Sequence, residues 1–451
     1  MSVITDKTFG DMLAALQKIL RVNTVKSAAE PGKPFGAGNA ACLDAFLAMA
    51  EDMGFETYNC DGYAGHVDFG DGETFGVLGH LDVVPVADKG WTCDPFGGEI
   101  KDGFLYGRGV LDDKGPVVSC LFAMKQLKDE GFRPSKKIRL IVGCDEESGW
   151  GCMDYYSRKV PLPSTGFSPD GDFPVINVEK GVCHIDIDAG ALPRGVKEIS
   201  GGQRVNIVPD ECRAVIEGGV SVYKQSGTAA PEKTFSGKKS DLRLEADGKN
   251  VIVTAFGKAA HGSTPEFGDN AAKKLFAALS ALFPGDKTIS LANAVCADYY
   301  GETLGIAMSD GVSGKMTVNV GRLRAENGRL VMGLDIRYPV SCAQSDLLKK
   351  LSAATGAAYK ITGSHKPLYV PEDNPLVKTL LDVYKSVTGE AAAPLAVGGA
   401  TYARALPCGV AFGPVFPGDE KVIHETNERV SLDKLRLMTE LYYTAIKRLW
   451  M

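Results

Sequence analysis

The sequence predicts an α/β protein carrying a large inserted α+β segment, and three observations predict it. Residues 1–181 alternate helical and strand spacing, the pattern changes near Val182 to strands joined by Asp-Gly and Asn-Gly turns, and α/β spacing returns at about residue 368. The simplest topology is one domain built from 1–181 and 368–451, interrupted by 182–367. At 186 residues the insertion exceeds the ~100 that a small module needs, and it reads as a double-sized lid without a clean internal repeat.

The elements follow in order. Phe9, Met12, Leu13, Leu16, Ile19 and Leu20 recur at helical spacing, as do Cys42, Phe46, Leu47, Ala50 and Met53, with Gly54 as a stop. Residues 66–79 read as a hairpin turning at Asp71-Gly72. Residues 116–130 read as a helix, with Pro116 near the first turn, where its missing N–H costs nothing, and Gly131 past the end. The run 136–143, with Ile138, Leu140, Ile141 and Val142, suits a strand covered on both faces. In the insertion, Asp247-Gly248 and Asn327-Gly328 are hairpin turns, the second leading into an alternating strand at 330–338. A short strand at 410–412 precedes a closing helix with apolar positions Leu432, Leu435, Met438, Leu441, Tyr442, Ile446 and Leu449.

Composition narrows the function. With 44% hydrophobic and 24% charged residues in 451, the chain is neither disordered, collagen-like nor a disulfide scaffold. A net charge of −6 gives no electrostatic reason for a nucleic-acid or anionic-membrane partner. No apolar run approaches the ~20 residues of a membrane span, and the opening MSVITDKT lacks a basic-then-apolar signal, so a cytoplasmic protein is expected. Eleven cysteines without a C-x-x-C pair fit buried, reduced thiols rather than disulfides or a thiolate zinc cluster.

Five runs carry the chemistry. In FGVLGHLDVVP (75–85) an apolar strand runs into His80 and Asp82, whose side chains emerge on one face at a strand end, where sites form in open α/β sheets. YGRGVLDDKGP (106–116) places Asp112 and Asp113 before a helix, LIVGCDEESGWG (140–151) sends a strand into Asp145, Glu146 and Glu147, FSPDGDFPVINVEKG (167–181) holds Asp170 in a turn, and IHETNERV (423–430) holds His424 before the closing helix. A satisfied histidine, a helix cap and a solvated acidic loop each suffice to explain one run alone. Their joint occurrence is more telling. Two imidazoles with several carboxylates and no thiolate suit Zn²⁺, Mn²⁺ or Co²⁺, and a bridging carboxylate would hold two ions about 3.5–4 Å apart.

These runs resemble, in order and over nearly the whole chain, the aminoacylase and dinuclear-zinc carboxypeptidase family of metallopeptidases, and within it the bacterial PepV-type dipeptidases. GHLDVVP, YGRGVLDDKGP, CDEESGW, FSPDGDFP, EKG, VNIVPD, AHGSTPEFGDNA, DIRYP, GGATYAR and HETNE carry the resemblance. It implies a dinuclear-metal exopeptidase-like α/β/α catalytic domain with the insertion as lid. It also implies that His80, Asp112 and Asp170 bind one ion and Asp112, Glu147 and His424 the other, with Asp112 as bridge, Glu146 as general base and Asp82 orienting His80. In the insertion it implies His261 on the scissile carbonyl, Arg337 on the substrate carboxylate, Asn206 assisting, and Gly398, Gly399 and Thr401 in a substrate loop. Two divalent ions per chain are implied, zinc first, with manganese or cobalt as alternatives.

The implied activity is hydrolysis of short unblocked L-peptides by attack of metal-bound water on the peptide carbonyl. The long insertion resembles the arrangement in which the lid histidine acts within its own chain, so a monomer is expected. Related deacylases often carry Glu where Asp170 stands, which favours the dipeptidase branch; Val178 departs from the small residue expected beside the site. The alternatives are an N-acyl-amino-acid deacylase or desuccinylase of the same fold, and a non-catalytic metal-stabilised binding protein, for which Glu146 and His261 would be superfluous. The glycines at 70, 72 and 76 make no dinucleotide fingerprint, and there is no G-x-S-x-G elbow.

Overall fold

A computed structural model describes residues 3–217 and 241–449. The chain forms two compact units, one of Met1–Asn177, Tyr369–Leu395 and Thr401–Met451, the other of Val178–Leu368 and Ala396–Ala400.

The first unit is organised by one apolar strand. Lys137–Gly143 has Ile138, Leu140, Ile141 and Val142 fully buried, and pairs on one side with Ala64–Phe69, antiparallel, and on the other with Thr74–His80, parallel. Thr165–Ser168 and then Cys408–Ala411 extend the parallel set, while Glu56–Cys60 pairs antiparallel outside Ala64–Phe69. Four neighbouring strands therefore run the same way and end on the same edge.

Both faces of this sheet are covered. A Cβ on Gly79 would meet Asp113 Oδ2 and Val117 of the helix Lys114–Asp129, whereas one on Gly143, of opposite parity, would meet Tyr402 and Cys152. Burial on both sides explains the unbroken apolar run, each large side chain contributing about 1.5–3 kcal/mol.

The expected hairpin at 66–79 does not form. Asp71-Gly72 does reverse the chain, with Gly70 and Gly72 at φ 84° and 92°, but Ala64–Phe69 and Thr74–His80 are each paired to Lys137–Gly143, which lies between them. The dipeptide encodes only the turn. The more apolar distant strand wins both partners because it buries more surface than a local hairpin would. The other expected elements stand at Asp6–Leu20, Ala37–Asp52, Lys114–Asp129, Cys408–Ala411 and Leu432–Leu449.

The second unit is an antiparallel sheet of eight strands with helices on one face. Its order is Leu242–Asp247, Asn250–Phe256, Glu211–Glu217, Val196–Gly201, Thr317–Glu326, Arg329–Tyr338, Gly181–Ala191 and Tyr359–His365. Both turn signals are used: Asp247 pairs with Asn250, and Glu326 with Arg329 across Asn327 and Gly328, which sit at φ 51° and 72°. Cys183, Ile185 and Ile187 point into the core with Leu275, Phe276 and Leu347, while alternate residues of the same strand point away from it, Asp186 taking Arg322 and Arg324 and Asp188 taking Arg329.

All eleven cysteines are free; nine are buried, and Cys342 and Cys408 are half-buried rather than buried as expected. Among the described residues no helix is long and apolar enough to cross a membrane.

Candidate metal centre

The centre gathers at the edge where the parallel strands end. His80 closes its strand and is fully buried. Its Nδ1–H donates to the backbone carbonyl of Asp82 at 3.0 Å, which fixes the tautomer and leaves a lone pair on Nε2. Nε2 lies 2.9 Å from Asp112 Oδ1, yet it is buried without a well-directed hydrogen bond. Asp112 Oδ2 lies 2.8 Å from His424 Nε2, so each oxygen of one carboxylate faces a different imidazole. Glu147 Oε1 is 3.0 Å from the same His424 nitrogen. Asp170, in the turn after Thr165–Ser168, accepts from the Tyr402 amide at 3.3 Å.

Donor atoms of His80, Asp112 and Asp170 lie within 4.8 Å of one another, and so do those of Asp112, Glu147 and His424. Asp112 belongs to both groups.

Glu146 stands outside both, its Oε1 accepting from Trp150 Nε1 at 3.1 Å. The two glutamates are anchored together, because the amides of Glu146 and Glu147 donate to Asp82 Oδ1 and Oδ2 at 3.0 and 3.1 Å. Asp82 contributes two groups here. Its carbonyl, rather than its carboxylate at 3.6 Å, orients His80, and its carboxylate positions the acidic run instead. The reason is geometric: two backbone N–H groups in tandem match both carboxylate oxygens.

Charge is crowded here. Burial, with repulsion from Asp112, pushes Asp170 up to about 7. Burial and then Asp170 raise Glu146 well above the usual carboxylate range, and burial and then Asp112 raise Glu147. Burial would lower His424, but hydrogen bonds to Asp112 and Glu147 push it up to about 11, and Asp112 and Asp82 likewise raise His80. Burial would raise Asp112, but His424 and His80 hold it well below the usual range. Without other cations, protons neutralise this cluster. The donor set, the shared carboxylate and the orphaned His80 Nε2 fit two divalent ions.

Sequence reasoning missed the support beneath these ligands. Glu428, fully buried, accepts from the amides of Gly109, Leu111 and Asp112 at 3.2, 2.9 and 3.3 Å and from Arg108 Nη1 at 2.7 Å. Arg108 Nη2 donates to the His424 carbonyl at 3.2 Å. The available signal was a pair of opposite charges in the ligand runs, Arg108 in YGRG and Glu428 four residues after His424. Glu428→Gln is expected to destabilise the fold by about 3–5 kcal/mol, as loss of one partner of a buried ion pair does. Its metal affinity should fall about 10–100-fold, read by thermal unfolding and metal titration. Trp150 was also missed. It sits at φ 60°, as His424 does at φ 65°, a left-handed conformation that bulky side chains adopt where surrounding structure compels it.

The remaining expected residues lie elsewhere. In the second unit, Gly262 N–H donates to the Asn206 carbonyl at 2.7 Å, and the Ser263 amide donates to His261 Nδ1 at 3.2 Å, so the imidazole hydrogen resides on Nε2. Arg337 donates through Nε and Nη2 to Asp335 at 2.7 and 3.0 Å, and through Nη1 to the Gly398 carbonyl at 3.1 Å. Gly398 and Gly399 belong to the second unit, Thr401 to the first. The Thr401 hydroxyl caps the turn Tyr402–Ala405 by accepting from the Ala403 amide, so a structural task accompanies the expected substrate-loop role.

The sequence profile of Peptidase family M20/M25/M40 matches residues 76–448. The chain is similar to the putative dipeptidase YtjP of Bacillus subtilis (strain 168), at 39% identity over 97% of each chain. It is also similar to the Beta-Ala-Xaa dipeptidase of Lactobacillus delbrueckii subsp. lactis, at 35% identity over 92% of this chain and 90% of that one. Its fold is like that of the di-peptidase Dug1p from Saccharomyces cerevisiae, with a TM-score of 0.59 at 14% identity, covering 98% of this chain and 96% of that one.

Proposed function

The chain belongs to peptidase family M20/M25/M40, and on that premise we propose that it is a metal-dependent dipeptidase acting on short unblocked L-peptides. The observation that carries this reading is the pair of three-donor groups sharing Asp112, with Glu146 held beside them but outside both.

His80, Asp112 and Asp170 would hold one ion and Asp112, Glu147 and His424 the other, zinc first, with manganese or cobalt as alternatives. When bound, such ions polarise a carbonyl and bring the pKa of water towards roughly 7. The chain supplies the rest. Glu146 takes a proton from the attacking water as its oxygen bonds to the peptide carbon, and returns a proton to the amine as the C–N bond breaks. Trp150 holds the Glu146 carboxylate through its indole N–H. His261 presents Nε2–H, a donor suited to the carbonyl oxygen as it becomes negative, an interaction that can contribute about 3–4 kcal/mol. Arg337 takes the substrate's terminal carboxylate, Asn206 assists, and Gly399 and Thr401 contribute to the substrate loop.

We further assign the protein to the cytoplasm, as a monomer whose His261 acts in cis. The free cysteines support that compartment, and the long insertion supports the monomer.

The reading is tested by incubating protein loaded with Zn²⁺, Mn²⁺ or Co²⁺ with L-dipeptides, their N-acetyl forms and N-acyl amino acids, and identifying products by mass spectrometry. Free-amine dipeptides should be cleaved and their N-acetyl forms spared. Cleavage confined to acyl amino acids would establish a deacylase instead, and inertness towards all of them a binding protein. Arg337→Ala should lower kcat/KM on dipeptides by about 2–5 kcal/mol, the cost of leaving a charged partner unpaired.

A further inference from the structure

The second unit contains a fully buried carboxylate that no step above uses. Asp335 lies opposite His184 on one neighbouring strand and Asn319 on the other, on the sheet face away from the helical core. Its Oδ1 receives Arg337 Nε and its Oδ2 receives Arg337 Nη2, a two-point contact along one edge of the guanidinium. His184 Nε2 stands 3.2 Å from Oδ1. Burial alone would raise this carboxyl, but Arg337, then His184, hold it below its ordinary value, so it is an anion.

Asp335 also abuts the neighbouring loop. A Cβ on Gly262 would lie 2.4 Å from Asp335 Oδ2 and 3.0 Å from the Asn206 carbonyl oxygen, so only glycine fits between them. Asn319 Nδ2, from the facing strand position, donates to the Val205 and Ile207 carbonyls at 3.1 Å each, holding the loop that carries Asn206.

The geometry points to Asp335 as the positioning residue for Arg337: by occupying the Nε/Nη2 edge of the guanidinium it leaves one N–H on each terminal nitrogen for a single substrate carboxylate. Of five guanidinium N–H bonds, two go to Asp335 and one to Gly398. Rotation of the planar fork would break both Asp335 bonds at once, so the remaining N–H groups are held in one orientation. This selects substrates with a free C-terminal carboxylate over their amides. The inference rests on the assignment of Arg337 to that carboxylate.

The test uses steady-state kinetics of the metal-loaded protein on an L-dipeptide and on its C-terminal amide. Asp335→Asn should lower kcat/KM for the dipeptide by about 10–100-fold, mostly through KM, because a buried charged partner is lost while Arg337 stays. On the amide the change should be no more than about threefold, and the double variant with Arg337→Met should be no worse than Arg337→Met alone. Equal losses on both substrates, or additive losses in the double variant, would overturn the inference. If Arg337→Met leaves the carboxylate preference intact, the assignment of Arg337 itself is wrong. If Arg337→Met abolishes it and Asp335→Asn does not, only the role of Asp335 falls. Asp335→Glu keeps the charge but displaces it, and should show the same selective loss. Failure of both Asp335 variants to fold, judged by thermal melting, would also overturn the proposal, since the carboxylate would then determine the fold.

Discussion

Glu146→Gln is expected to lower kcat by about 10²–10⁴-fold, the usual contribution of a positioned proton-transfer group, while two metal ions per chain are retained. The second half of that expectation is the discriminating one. Glu146 belongs to neither three-donor group, whereas its neighbour Glu147 lies 3.0 Å from His424 Nε2 and belongs to one. The amide of Gln preserves an oxygen for the Trp150 N–H, and the Glu146 backbone N–H still reaches Asp82, so the loop should keep its shape. Activity within tenfold of the parent would remove Glu146 from the proton-transfer role. Loss of metal together with activity would make it a ligand.

Asp112→Ala should have the opposite profile, in which metal is lost first and activity with it. Asp112 is the only residue common to both donor groups, one oxygen facing His80 and the other His424. Removing it leaves two imidazoles and two carboxylates with no shared ligand. The affinity for each ion should fall by more than about 100-fold, the most that outer-shell partners alone carry. Equilibrium dialysis followed by elemental analysis should find fewer than two ions per chain where the parent holds two. Retention of both ions at parent affinity would show that the groups do not share a bridge.

Much of the centre is legible in the sequence for a physical reason. Apolar strands that stop abruptly at polar residues mark the end of a buried sheet, and His80 and the 145–147 run follow such strands directly. The parallel pairing of Thr74–His80 with Lys137–Gly143, His80 opposite Gly143, brings those two ends together. Asp170 follows the next strand of the same parallel set, and His424 lies beyond the one after that.

Other features were not legible. Glu428 and Arg108 are 320 residues apart and meet in a buried ion pair, and a charged residue in a glycine-rich run has no local mark that separates it from a solvated one. Spacing puts Asp82 beside His80 but does not show which of its several acceptors the donor reaches, and it is the carbonyl. The 66–79 run reads as a hairpin because its turn chemistry is right. Its partner was decided by a strand far along the chain, Lys137–Gly143.

What the sequence determined by itself is therefore the set of elements and the chemistry at their ends: alternation and periodicity are enforced locally, by backbone geometry and by which side of a helix or strand is apolar. What only the tertiary structure decided is pairing and support. Lys137–Gly143 takes two partners instead of leaving them to each other, Glu428 gathers three loop amides, and Asp335 fixes the edge that Arg337 presents. Each depends on comparing burial and hydrogen bonding across segments far apart in the chain, and no local window contains both terms of that comparison.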